Sequence, residues 1–340
     1  MTPDFDPARL REYLSGRFGA RDRFDLARIS GGQSNPTYFL RYGPDRMVLR
    51  KKPAGPTLPG AHAIDREYRV LQALYPSGVP VPRPILYCDD PLVLGTPFYL
   101  MERVEGRVFS DCALPDLALS ERPAIWMGLA EALAALHNVD PVSVGLGDYG
   151  RPGNYFERQI ARWTKQWQAS ANAPIPDLDA LAEWLPAHLP ADDGAASLAH
   201  GDFRLGNLMF HPTEPRVVAI LDWELSTLGH PLADLGFAVM PWHTAPQEYG
   251  GLLGLDLAGQ GLPQEADVVA RYRQRRPGCS PLLPFHKVFA LFRFAVIFVG
   301  ISDRVRAGTA AAANADSYAP LAARFARRAA DIINRTEETP

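Results

Sequence analysis

Residues 199–224 read AHGDFRLGNLMFHPTEPRVVAILDWE, and they set polar groups against apolar runs. Asp202, Asn207 and Asp222 stand in or beside the runs LMF at 208–210 and VVAIL at 217–221. Taking a carboxylate or an amide out of water costs free energy unless a partner answers it. His200, Asp202 and Asn207 have the spacing H-x-D-x-x-x-x-N, and Asp222 follows fifteen residues after Asn207, at the end of the apolar strand. Phosphoryl transfer needs such a set. One carboxylate holds an acceptor hydroxyl and takes its proton, while an amide oxygen and a second carboxylate hold Mg²⁺ on nucleotide phosphates. Magnesium takes hard oxygen ligands and keeps waters, so one or two carboxylates with phosphate oxygens suffice. The competing reading is an acidic turn followed by a β-hairpin.

The rest of the chain is consistent with a globular enzyme. Its 340 residues suit one large two-lobed domain or two average ones, and 47% hydrophobic with 21% charged residues allows an ordinary core. A net charge of −3 offers no general attraction to nucleic acid or to an anionic membrane. Cys88, Cys112 and Cys279 are far apart, fit neither a zinc site nor a disulfide framework, and point to a reducing, cytoplasmic setting. The N-terminal MTPDFDPARLREYL lacks the apolar core of a signal peptide. The most apolar segment, 285–301, falls short of a membrane span and is interrupted by Lys287 and Arg293, so a buried helix is expected. The Ala-rich stretch 307–317 reads as a surface loop or a helix start.

Element patterns change along the chain. Strands are expected at 23–31, 36–43, 45–53, 82–90 and 97–106, around a single helix over 63–78 with Ile64, Tyr68, Leu71 and Leu74 at helical spacing. Helices are expected at 122–140, 154–170 and 176–189, and again from about 264 onward. Gly106 marks the expected hinge. ISGGQSNPTYFL, 29–40, lies between two strands, where paired glycines let backbone N–H groups approach phosphate, and Ser34 and Asn35 add donors; an ordinary hairpin turn is the alternative. On the third strand, Arg50 and Lys51 compete as the phosphate-binding cation. Alternation sends them to opposite faces, and Arg50, directly after Met47-Val48-Leu49, is preferred. Glu67 on the helix is its expected partner.

HGDFRLGNLMF followed by ILDWE resembles the aminoglycoside phosphotransferase and choline kinase family, over roughly residues 25–330. The resemblance implies an α+β, protein-kinase-like bilobal fold: residues 1–104 form a small β-sheet lobe with one helix, and 105–340 a larger, mainly helical lobe. It implies ATP and Mg²⁺ as cofactors, Asp202 as catalytic base, His200 as support of the catalytic loop, and Asn207 and Asp222 as metal ligands. The loop with Ser34 and Asn35, the Arg50–Glu67 pair and the backbone of Met101, Glu102 and Val104 would hold the nucleotide. Asp234 would brace the catalytic loop, and Glu224 either supports a second metal or faces solvent.

The acceptor is less defined. Residues 240–330 carry eleven Lys or Arg against six carboxylates (Glu248, Asp256, Glu265, Asp267, Asp303 and Asp316), which suits an anionic acceptor better than a polycationic one, unless it is only a solvated basic helix face. GGQSNPTY, LRKKP, NYFERQIARW and DWELSTLGHPLADLG resemble the branch related to the kinase-like domain that animals fuse to acyl-CoA dehydrogenases, which implies a hydroxyacyl-CoA or a similar hydroxy acid derivative. Arg293, alone in the apolar helix, needs a partner, either a structural carboxylate or a substrate anion. An aminoglycoside or macrolide kinase, and a non-catalytic nucleotide-binding protein of the same fold, are the competing functions. Neither nucleic acid nor membrane is expected as a partner.

Overall fold

In the computed structural model the described residues are 3–29, 35–55, 62–151, 153–170, 174–306 and 319–337. The paired glycines at 31–32, Ser34, the stretch 307–317 and Asp316 lie outside them. The chain forms two units, one of residues 1–106 with 218–225, the other of 107–217 with 226–340. The short segment 218–225, expected with the second lobe, goes with the first. Ile220 donates its N–H to Pro80 O at 2.8 Å, and the turn at Trp223–Leu225 packs on the helix of that unit.

The first unit opens with a helix the sequence reading did not anticipate, α1 (Pro7–Phe18). Asp6 caps it by accepting the Ala8 N–H at 2.9 Å, Pro7 suits its first turn, and Leu10 and Leu14, one turn apart, are fully buried. Strands β1 (Phe24–Arg28), β2 (Thr37–Tyr42) and β3 (Asp45–Lys51) precede helix α2 (Ile64–Leu74); β4 (Pro84–Cys88), the one-turn helix α3 (Pro91–Leu94) and β5 (Phe98–Glu102) follow. They form one antiparallel sheet in the order β1-β2-β3-β5-β4. Tyr38, Leu40, Met47, Leu49, Phe98 and Leu100 share the face that packs on Leu10 and Leu14. By alternation Val48, Arg50 and Tyr99 take the other face, where α2 lies against β4 and β5.

The second unit is mainly helical. It contains β6 (Arg107–Val108), α4 (Arg122–His137), α5 (Tyr155–Gln168), α6 (Pro176–Ala187), β7 (Ser197–Ala199) and β8 (Leu208–Phe210). Strand β9 (Val217–Ile220) leads into the segment shared with the first unit. After it come β10 (Thr227–Gly229), α7 (Pro231–Ala238), α8 (Glu265–Arg275), α9 (Pro284–Arg306) and α10 (Ala319–Glu337). β7 pairs antiparallel with β10, and β6 with β8. The apolar segment expected to be a buried helix is α9, whose Phe289, Phe292, Val296 and Val299 sit at the centre of a core shared with α5, α6 and α10. No described helix is long and apolar enough to cross a membrane.

Helix α7 crosses α9 at Gly236, where an added Cβ would lie 2.6 Å from the backbone oxygen of His286. That approach fixes Asp234, two residues earlier. Gly236→Ala should therefore destabilise the protein by about 1–3 kcal/mol, as overpacking against backbone does. In an uncrowded helix interior the same change gains up to about 1 kcal/mol. Urea denaturation reads the sign, and a stabilised variant would refute the crossing.

Candidate active site

In the first unit the side chains on the α2 face of the sheet form a charged network. Arg50 Nε lies 2.7 Å from Glu67 Oε2, and Arg50 Nη2 donates to Asp222 Oδ1 at 2.7 Å. Glu67 sits on the buried side of α2 with Ile64, Leu71 and Leu74, and it also accepts from Asn35 Nδ2 at 2.7 Å and from the Tyr99 hydroxyl at 3.0 Å. Burial pushes the Glu67 carboxyl up against the pull of Arg50. Burial pulls Arg50 down, but Glu67, Tyr99 and Asp222 more than offset it and hold the guanidinium charged, above the usual arginine value. Lys51 points to the opposite face, fully buried, with its Nζ 2.7 Å from Asp4 Oδ2. Asn35, expected to meet phosphate, donates one amide N–H to Glu67, while its Oδ1 lies 3.0 Å from His62 Nδ1.

Asp222 adopts φ +66°, a left-handed backbone that aspartate tolerates better than most residues but that still costs free energy. It turns the chain at the end of β9, so the carboxylate leaves the strand direction and faces Arg50. Glu224, in the turn after it, is exposed. On β5, the Glu102 N–H is taken by Arg83 O at 2.9 Å and the Arg103 N–H by Arg46 O at 3.2 Å. The backbone N–H of Glu102 is therefore already taken within the sheet. Among the described residues no three His, Cys, Asp or Glu groups converge as a metal-binding cluster.

In the second unit, β7 delivers the turn His200-Gly201-Asp202. His200 is fully buried, and its Nδ1 accepts the Asp202 N–H at 3.2 Å. Gly201 has φ +84°, where a side chain would be strained. Asp202 Oδ2 accepts from Asn207 Nδ2 at 2.7 Å, and Arg204 Nε is 3.4 Å from the same oxygen. Asn207 Nδ2 also donates to the Asp202 backbone oxygen at 2.8 Å, which leaves the amide oxygen Oδ1 for another partner. The turn hangs from Asp234: Oδ2 accepts the His200 N–H at 2.6 Å and Oδ1 the Gly201 N–H at 2.9 Å. His137 Nε2 is 3.3 Å from Asp234 Oδ2, and its Nδ1 is 2.8 Å from the Tyr272 hydroxyl. Burial alone would raise Asp234, but His137 and the Gly201 N–H hold it below the usual carboxylate range; burial lowers His137 against the pull of Asp234.

His137 and Tyr272 were not foreseen, because nothing local in LHNVD or RYRQR marks a contact with residue 234. Arg293 also differs from expectation. It is buried, yet among the described residues its partner is neither a carboxylate nor an open cleft: Nη2 donates to the Gly201 carbonyl oxygen. Many of the cations of residues 240–330 have partners within the fold. Arg328 makes a two-pronged pair with Glu248 at 2.8 and 2.9 Å, Lys287 pairs with Glu265 at 3.1 Å, and Arg306 with Asp303 at 3.3 Å. Arg271 and Arg275 pair with Glu131, and Arg327 with Asp331, carboxylates that lie outside the counted window. Glu131 and Asp331 thus offset part of the excess, and the count is weaker evidence for an anionic acceptor.

Comparison with known proteins gives this chemistry a context. Residues 25–274 match the phosphotransferase enzyme family, APH. The chain is 42% identical over 341 residues to human acyl-CoA dehydrogenase family member 11, covering 98% of this chain and 43% of that protein. It spans about two fifths of the length of the curated relatives it matches. A solved chain from Ralstonia eutropha, provisionally described as an aminoglycoside phosphotransferase, is 44% identical with a TM-score of 0.87, covering 97% of this chain and 99% of that one. Aminoglycoside phosphotransferase APH(4)-Ia, solved with ADP and hygromycin B, shares the kinase-like fold at a TM-score of 0.61 and 16% identity, covering 96% and 98% of the two chains.

Glu67→Gln keeps the shape of the side chain but leaves Arg50 without its full countercharge. Breaking a buried pair from one side costs about 3–5 kcal/mol. Chemical denaturation should show a loss of that order, and a variant within about 1 kcal/mol of the parent would remove Glu67 as the residue that holds Arg50.

Proposed function

We propose, for a chain that belongs to the phosphotransferase enzyme family, that it transfers the γ-phosphoryl group of ATP, with Mg²⁺, to a hydroxyl of a small acyl derivative of the hydroxyacyl-CoA kind. The acceptor class rests on one observation. High identity runs across nearly the whole chain to a protein named for acyl-CoA chemistry, whereas the likeness to the hygromycin B-bound enzyme extends to the fold alone.

In this reading Asp202 takes the proton of the acceptor hydroxyl while that oxygen attacks the γ-phosphorus and the bond to the β–γ bridging oxygen breaks, releasing ADP. Asn207 and Arg204 both engage Oδ2, which reserves Oδ1 for the hydroxyl. His200 and Asp234 hold the turn that aims the carboxylate. Arg50, fixed by Glu67, binds the nucleotide phosphates, and the carbonyl of Glu102 with the backbone of Met101 and Val104 meets the adenine. The donors suit Mg²⁺: the Asn207 amide oxygen is left open by its own hydrogen bonds, and the Asp222 carboxylate already faces a cation. Bound there, the ion would neutralise charge on the β- and γ-phosphates.

A second reading, an antibiotic kinase, is favoured by the description of the Ralstonia chain. A thermal-shift series separates the two: protein alone, with ATP, with ATP and Mg²⁺, and then with a hydroxyacyl-CoA or an aminoglycoside. Ligands that bind only the folded state raise the melting temperature with their affinity. A further shift with the CoA ester supports the proposal, and one with the antibiotic alone transfers it to the second reading. Asp202→Ala should keep nucleotide binding and lose about 10²–10⁴ in turnover. Retained turnover would remove Asp202 as the base.

A further inference from the structure

Arg293 stands in the middle of α9 between Phe292 and Phe294, and it is 5% exposed. A guanidinium in such a place carries a large desolvation cost unless its charge is answered. Its guanidinium carbon lies 5.7 Å from the Trp163 ring centroid and 5.8 Å from that of Phe237, cation–π contacts that strengthen when desolvated. They offset only part of that cost. The remaining partner is the Gly201 carbonyl. On the other side of the same residue, the Gly201 N–H points at Asp234 Oδ1 at 2.9 Å, and Asp234 is 1% exposed. Gly201 therefore lies between a buried anion at its N–H and a buried cation at its C=O.

We propose that Arg293 and Asp234 form an ion pair that acts through Gly201, with Arg293 as a positioning residue that fixes the backbone of this turn and so the aim of the Asp202 carboxylate. Each charge meets the end of the glycine whose partial charge opposes it, so the dipoles of the bridging peptide groups link the two ions without direct contact. Asp234 keeps the His200 N–H and the His137 ring as further partners, whereas the Gly201 carbonyl is the hydrogen-bond acceptor of Arg293 among the described residues. The inference rests on Asp202 as the proton acceptor only for its catalytic consequence; the clamp itself does not depend on it.

The test uses the full chain and two readouts. Hydrogen exchange of the amides at residues 200–202 reports the clamp directly. Basal ATP hydrolysis with Mg²⁺, in which water replaces the acceptor, reports the aim of Asp202, with Asp202→Ala as control. In Arg293→Met the exchange at 200–202 should rise by about tenfold or more, hydrolysis should fall, and the KM for ATP should stay within about twofold because Arg50 and Asp222 are untouched. Arg293→Lys, which keeps the charge but not the fork, should be intermediate in both. Arg293→Met combined with Asp234→Asn should cost less than the product of the single effects, by about fivefold. Unchanged exchange in folded Arg293→Met overturns the clamp, and if that variant does not fold, unchanged exchange in Arg293→Lys does so. Faster exchange with unchanged hydrolysis overturns the positioning role. If Asp202→Ala itself leaves hydrolysis unchanged, the reading of Asp202 has failed, and the exchange data still decide the clamp.

Discussion

Asp234 is a carboxylate with 1% of its surface exposed, and the geometry of the turn at residues 200–202 follows from keeping it ionised there. An isolated charge in such a place would take up a proton instead. Two backbone N–H groups, from His200 and Gly201, and the ring of His137 supply the compensation. The donors are part of the turn itself, so answering the charge and shaping the loop are one event. Gly201 can follow because it lacks a Cβ, and the close crossing of α7 and α9 at Gly236 keeps the carboxylate from retreating.

The first unit solves a similar problem with different parts. Arg50 is held between Glu67 and Asp222, and Glu67 is itself satisfied by Asn35 and Tyr99. Both networks compensate a buried charge and place an uncommon backbone conformation beside it, φ +84° at Gly201 and φ +66° at Asp222. Strain of this kind persists where surrounding contacts over-determine the backbone, and each network supplies such contacts. A charge that is buried, paired and fixed needs little rearrangement to meet a partner, which is the property that preorganised sites use.

Much of this was legible in the residues. Strand alternation separated Arg50 from Lys51, and the helical spacing of Ile64, Leu71 and Leu74 put Glu67 on the same buried face. Helix α1 was not legible, because charged residues outnumber its two buried leucines and the Asp6-Pro7 start was read only as the absence of a signal peptide. The charge count over 240–330 was incomplete for a different reason. A window along the chain cannot include Glu131, which reaches Arg275 from 144 residues away.

By itself, the sequence determined the local chemistry: H-x-D-x-x-x-x-N places Asn207 five residues from Asp202, within reach of a turn, and their hydrogen bond is a local matter. It also determined the family, since that spacing and the aspartate after the apolar strand belong to one chemistry. Only the tertiary structure decided what holds the turn in place. Asp234 is 34 residues from His200, Arg293 is 92 from Gly201, and His137 is 97 from Asp234. Contacts at such separations depend on how helices pack, and a buried charge takes whichever polar group the packing brings within reach. A carboxylate was the partner to expect for Arg293, and a backbone carbonyl is the one the fold supplied.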